Sequence, residues 1–173
     1  MTETKFHISF NENTSLEDSC QGSILLAGTP ESFIASLSYF PRASYVKQWA
    51  DAIRTVKHDR KPSALFSNVD LKADGTGWLW FYTLIPSEDI YSENAQEKGV
   101  FITQSFKPVC TDPNSFLTRR FIELEDGTVD EELSFYFLDL KHPERFFGYL
   151  DTEICGRSHW FVNDTDIQLS PSS

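Results

Sequence analysis

Residues 37–53 read LSYFPRASYVKQWADAI, and the spacing of apolar side chains in and just beyond this stretch decides the fold class. Tyr45, Trp49, Ala52, Ile53 and Val56 recur at intervals of three and four, which gathers them on one stripe of a 3.6-residue helix. Lys47, Gln48, Asp51 and Arg54 fall mainly on the opposite side, and Pro41 suits the first turn, where a missing N–H costs nothing. The stretch predicts an amphipathic helix whose aromatic stripe belongs to a core rather than to a site.

The segments on either side read as strands. Phe6, Ile8 and Phe10 alternate with Lys5, His7 and Ser9, the period of a half-buried strand. Residues 11–22 are polar and read as a turn or loop. Residues 23–27 and 32–39 are further strand candidates around the Gly28-Thr29-Pro30 turn. Beyond the helix, Lys57 to Pro62 supplies cations suited to a helix C-terminus and a proline that bars continuation.

Residues 63–68 predict a short strand, 70–77 a turn, and 78–85, WLWFYTLI, a strand apolar at every position but Thr83. Such a run belongs in the middle of a sheet with both faces covered. Residues 91–96 and 100–106 suggest a hairpin, and residues 116–124 and 132–138 a second one turning at Asp126-Gly127. Residues 143–150 form a short helical candidate, and residues 164–173 a frayed tail. The sum is a single α+β domain over residues 1–173: a mainly antiparallel sheet, one main amphipathic helix packed on it, and a short C-terminal helix.

Composition sets the functional bounds. The chain has 173 residues, 40% hydrophobic and 14% aromatic, so it has the means to bury a core. Its net charge of −11 is uneven: residues 1–86 carry 8 Lys and Arg against 9 Asp and Glu, residues 87–173 carry 7 against 17. A negative field of this kind repels phosphate backbones and attracts basic proteins, which argues against direct nucleic-acid binding. Cys20, Cys110 and Cys155 are odd in number and show no C-x-x-C spacing, so the sequence predicts neither a disulfide framework nor a cysteine zinc site, and a reducing cytoplasm suits them. No stretch has the length and apolarity of a membrane span or a secretory leader.

The sequence offers no recognisable catalytic centre. His7, His58, His142 and His159 lack ligand spacing, no serine sits in G-x-S-x-G, and Asp74-Gly-Thr-Gly77 lacks the lysine of a phosphate loop. Neither a metal, a cofactor nor a catalytic residue is therefore assigned. What stands out is acid density: Glu123, Glu125, Asp126, Asp130, Glu131 and Glu132 place six carboxylates in ten residues around a hairpin tip. Like charges across a hairpin repel, and a partner supplying Lys and Arg would relieve the repulsion. Glu88, Asp89, Glu93 and Asp112 are secondary candidates for the same contact.

Ser36-Leu-Ser-Tyr-Phe40 leading into Tyr45, Gln48-Trp49 and Ala52 resembles the S-L-S-[YF]-W…Y…Q-W…A pattern of bacterial immunity proteins from contact-dependent growth inhibition and related polymorphic toxin systems. Phe40 stands where the pattern has Trp. An aromatic strand, Tyr91 and Phe101, the Glu125-Asp126-Gly127 turn, and Leu133 with Phe135 follow in similar order, so the resemblance spans residues 33–150. It implies a cytoplasmic binder rather than an enzyme, whose partner is the toxic C-terminal domain of a co-encoded secreted effector, often a nuclease with a basic cleft. The alternatives in other classes are a small hydrolase with a site assembled from distant residues, and a non-catalytic adaptor in a larger complex.

Overall fold

The computed structural model describes residues 5–90, 98–113, 122–123, 129–130 and 135–167. The chain opens with an antiparallel three-stranded sheet, β1 (Phe6–Leu16), β2 (Ser19–Leu26) and β3 (Thr29–Ser36), in that spatial order. Its inner face carries Phe6, Ile8 and Phe10, then Cys20, Ile24 and Leu26, then Ala35. Gly22 sits under the ring of Phe33, where any Cβ would collide with it.

The main helix α1 (Arg42–Arg54) follows, with Pro41 as its extended N-cap residue. No side chain caps it and no acid occupies its first turn, so its stability rests on tertiary contacts rather than on its own ends. It runs into a π-helical turn, Thr55–Asp59, that Arg60 ends in a left-handed conformation, φ 52°.

A second sheet holds β4 (Ser63–Leu71), β5 (Thr76–Pro86) and β6 (Gly99–Cys110), all antiparallel, with β5 central as its apolar run predicts. Along the far edge of β6 lie two short strands. β9 (Tyr136–Phe137) pairs in parallel with Val109 and Cys110, and β10 (His159–Asn163) pairs antiparallel with residues 99–103. Between β6 and β9 in sequence, β7 (Ile122–Glu123) and β8 (Val129–Asp130) form a separate antiparallel ladder; the second hairpin was expected to return over 132–138, whereas the strand that pairs with β7 is 129–130, and Tyr136 and Phe137 pair with β6 instead. A 3-10 segment, Pro143–Tyr149, is the short C-terminal helix.

The two main sheets meet where the Ser36 amide donates to Asn68 Oδ1 at 2.9 Å, and Ile167, beyond the last strand, bridges to Phe6 of the first sheet. The core lies among both sheets and α1, with Trp49 only 2% exposed and its indole edge-on to Phe33 and tilted against Phe10.

Several expectations need correction. The polar residues 11–22 are not a loop: β1, at the sheet edge, continues to Leu16, and β2 begins at Ser19 as the central strand, paired on both sides. The third strand ends at Ser36, three residues earlier than expected. The single sheet is two sheets. Residues 164–167 do not fray, since Ile167 is buried and Asp164 is bonded to Arg60, while 168–173 lie outside the described residues. The expected strand 91–96 also lies outside them, and the first predicted hairpin with it.

Candidate functional site

The residues that carry the family-like pattern turn out to share a structural task. β4 is bonded to β5 along one edge, leaving the other edge with backbone groups that need partners. Helix α1 supplies them from side chains one turn apart. Tyr45 donates its hydroxyl to the Ser36 carbonyl and accepts from the Val69 amide, both at 2.8 Å. Gln48 donates to the Ala64 carbonyl and accepts from the Phe66 amide at 2.8 Å. Trp49 donates its indole N–H to the Phe66 carbonyl at 2.7 Å.

Spacing by three and four brings these groups to one helix face, and spacing by two along β4 presents Ala64 and Phe66 outward together. Ser63 returns the bond, donating to the Ala52 carbonyl at 2.7 Å. The Y…Q-W…A pattern is thus a device for joining helix to strand edge. Burial pushes the Tyr45 phenol well above its ordinary pKa, so it stays protonated and can donate and accept at once.

The acidic candidates occupy different places. Glu88 and Asp89 lie on the exposed 3-10 turn Ser87–Asp89, directly after β5. Glu88 is bound by Arg60, whose Nε and Nη2 reach its two oxygens at 2.7 and 2.6 Å. The same guanidinium grips Asp164 through Nη1 at 2.9 and 3.1 Å and the Gly99 carbonyl at 2.9 Å, tying the end of α1 to β5, β6 and the C-terminal turn. The Arg60 hydrogen bonds hold the Glu88 carboxyl down to a pKa of about 2. Glu88 therefore has a structural task besides any contact with a partner.

Asp112 is exposed just past the far end of β6. Thr76, the first residue of β5, pairs with Cys110, and Pro86, the last, pairs with Val100. Ten steps at about 3.3 Å separate the two ends of β5 by roughly 33 Å, so Asp112 lies at the opposite end of the β5–β6 pair from Glu88 and Asp89. The candidates thus do not form one patch. In the β7–β8 ladder Glu123 stands opposite Val129, and Asp130 opposite Ile122, so those two acids are not cross-strand partners. Glu93, Glu125, Asp126, Glu131 and Glu132 lie outside the described residues.

Among the described residues no three His, Cys, Asp or Glu side chains gather as metal ligands, and no helix is long and apolar enough to cross a membrane. Shallow depressions occur among the described residues. One lies beside α1, lined by Lys47, Gln48, Asp51 and Lys141 among others, and one over the outer face of the first sheet beside His7 and Pro30. In the first, Lys47 is paired with Asp51 at 2.9 Å. Neither brings a nucleophile to a base.

Aromatic residues also sort by position. Phe40 and Phe146 are core, Phe147 and Trp160 are half-buried against it, Phe161 is half-buried beside Phe101, and Tyr39 is 43% exposed. The group that pattern reading missed is Phe106 on β6, 60% exposed, with the half-buried Trp78 and Trp80 of β5 against it. The β5 run was expected to be covered on both faces; at its first residues one face is open. The available signal was Phe106 itself, which stands alternately among Gln104, Ser105 and Lys107.

Sheet order and helix placement define an antiparallel α+β domain with a side-chain-sealed strand edge. No family model matches the sequence, and no curated protein is similar to it. The same fold occurs in a solved structure, the CdiA-CT/CdiI toxin and immunity complex from Enterobacter cloacae. A chain there superposes with a TM-score of 0.58 at 16% identity, over 92% of this chain and 91% of that one.

Proposed function

We propose that this protein is an immunity protein: it binds the toxic C-terminal domain of a co-encoded contact-dependent growth inhibition effector and neutralises it in the cell that makes both. The observation carrying this reading is the fold shared, over nearly the whole of both chains, with a chain of a toxin and immunity complex. The net charge of −11 adds a physical reason, since an acidic protein is drawn to a basic toxin and associates with it quickly.

A nuclease is the toxin that this charge suits best, because a cleft built to hold phosphates also attracts carboxylates. In this reading Glu123, Glu125, Asp126, Asp130, Glu131 and Glu132 contribute to the meeting surface, and Glu88, Asp89, Glu93 and Asp112 are secondary candidates, of which Asp112 stands at the opposite end of the β5–β6 pair from Glu88 and Asp89. The protein works by occupying or obstructing the toxin, in the cytoplasm, with no cofactor and no chemistry of its own.

The test is growth. The toxin domain encoded beside this gene is expressed alone or together with this protein. Rescue of growth with copurification of the pair supports the proposal, and equal killing in both cultures refutes it.

A further inference from the structure

We infer that the open end of the β5–β6 face, formed by Trp78, Trp80 and Phe106 and flanked by Asp70, is a docking surface for an arginine-bearing loop of the toxin. The inference rests on the immunity reading and names a contact made by residues other than those of the acidic hairpin.

The three rings form one cluster. Trp80 and Phe106 are stacked with centroids 6.2 Å apart, Trp78 and Phe106 lie 5.5 Å apart, and the two indoles 6.4 Å apart. Register explains the grouping, since Trp80 stands directly opposite Phe106 and Trp78 two positions along the same face. Further along that face Tyr82, Leu84 and Ile102 are fully buried, so the domain covers one end and leaves the other to solvent. A domain that needed only a folded sheet would gain nothing from a phenylalanine 60% exposed beside two half-buried tryptophans.

Charge selects the occupant. Asp70 is exposed and stands opposite Trp78 on β4. Asp74 is exposed in the turn that follows, and Asp112 is exposed next to Thr111, whose amide and hydroxyl both donate to Gly75 of that turn. Lys72 is the cation on this turn. Lys107 points to the opposite face, over the ring of Tyr136 and onto the Tyr149 carbonyl. Arg157, at the β6 edge, donates to Ser105 and the Gln104 carbonyl and pairs with Asp151. Aromatic faces among carboxylates suit a guanidinium, which stacks on a ring while its fork meets a carboxylate. A second copy of this chain would bring the same negative field to the contact and is disfavoured by it.

The experiment measures binding kinetics of the full-length protein against the inactivated toxin domain encoded beside its gene, comparing wild type with Phe106→Ala and Asp70→Lys. Both residues are exposed, so both variants should melt with wild type. Phe106→Ala should weaken the complex at least tenfold, chiefly through faster dissociation. Asp70→Lys should slow association several-fold at low salt and much less at high salt. Wild-type binding with both variants unaffected would overturn this surface while leaving the immunity reading intact. Self-association of the protein alone that Phe106→Ala abolishes would assign the face to a second copy and overturn the inference too. Failure of the wild type itself to bind would remove the immunity reading and this inference with it.

Discussion

The indole N–H of Trp49 donates to the carbonyl of Phe66 at 2.7 Å, so the largest side chain of the helix is both packing and edge closure for the second sheet. The same indole fills space between Phe10 and Phe33 of the first sheet. One residue therefore joins three elements, and the consequence is measurable. Trp49→Ala should cost about 3–5 kcal/mol in chemical denaturation, as large-to-small core changes do. Trp49→Phe keeps most of the apolar volume but orphans the carbonyl and should fall between that and wild type, with a loss of about 1–3 kcal/mol. A loss below about 1 kcal/mol for Trp49→Ala would contradict the placement.

Gln48 makes the sharper test of edge closure, because it is polar, buried and bonded at both ends of its amide. Gln48→Leu leaves the Ala64 carbonyl and Phe66 amide without partners, and should cost about 2–5 kcal/mol despite a more hydrophobic side chain. Equal or greater stability in urea would show that the strand edge does not depend on the helix.

Helix α1 was legible because its apolar side chains repeat the helical period over three turns, and central β5 because it is an almost unbroken run of apolar, strand-favouring residues ended by Pro86. The extension of β1 through Asn11 and Glu12 was not, since a polar edge strand and a polar loop have the same composition. Nor was the parallel pairing of Tyr136 and Phe137 with β6, which depends on chain path rather than on local pattern. Arg60, Glu88, Gly99 and Asp164 are far apart in sequence, and only the folded chain brings them to one guanidinium. For the proposed binding surface, acid density was visible as composition, whereas the exposure of Phe106 depends on the folded chain, which buries Tyr82 and Leu84 further along the same face but not Phe106.

The Arg60–Glu88 pair should make stability depend on pH in a defined direction. The Glu88 carboxyl is held at a pKa of about 2 against an ordinary 4.5, so its contribution is complete above about 4.5 and fades as pH falls towards 2. Solvent reaches this carboxylate, which is 45% exposed, and screening keeps the contribution small. Glu88→Gln should be less stable than wild type at pH 7, and the gap should narrow between pH 5 and pH 3. A gap that stays constant over that range would contradict the pairing.

Cys20 and Cys110 are buried and Cys155 is exposed, all three as thiols. A thiol reagent should therefore modify one cysteine rapidly in the native protein and three after denaturation. Prompt native reaction of Cys20 or Cys110 would mean that the core opens far more readily than its packing implies.

For the acidic hairpin, alanine variants of Asp126, Asp130 and Glu131 should slow association with the toxin and flatten its salt dependence, with little change in dissociation, as expected of carboxylates at a rim. Unchanged kinetics for all three at low and high salt would remove the hairpin from the interface.

The central claim, that this protein is a toxin-neutralising binder, is tested most directly by titrating it into the inactivated toxin domain encoded beside its gene and following heat at low salt. The account predicts a saturable one-to-one complex with a dissociation constant in or below the nanomolar range, corresponding to about −12 kcal/mol. Absence of saturable heat at micromolar concentrations, together with no complex on size-exclusion chromatography, would contradict it.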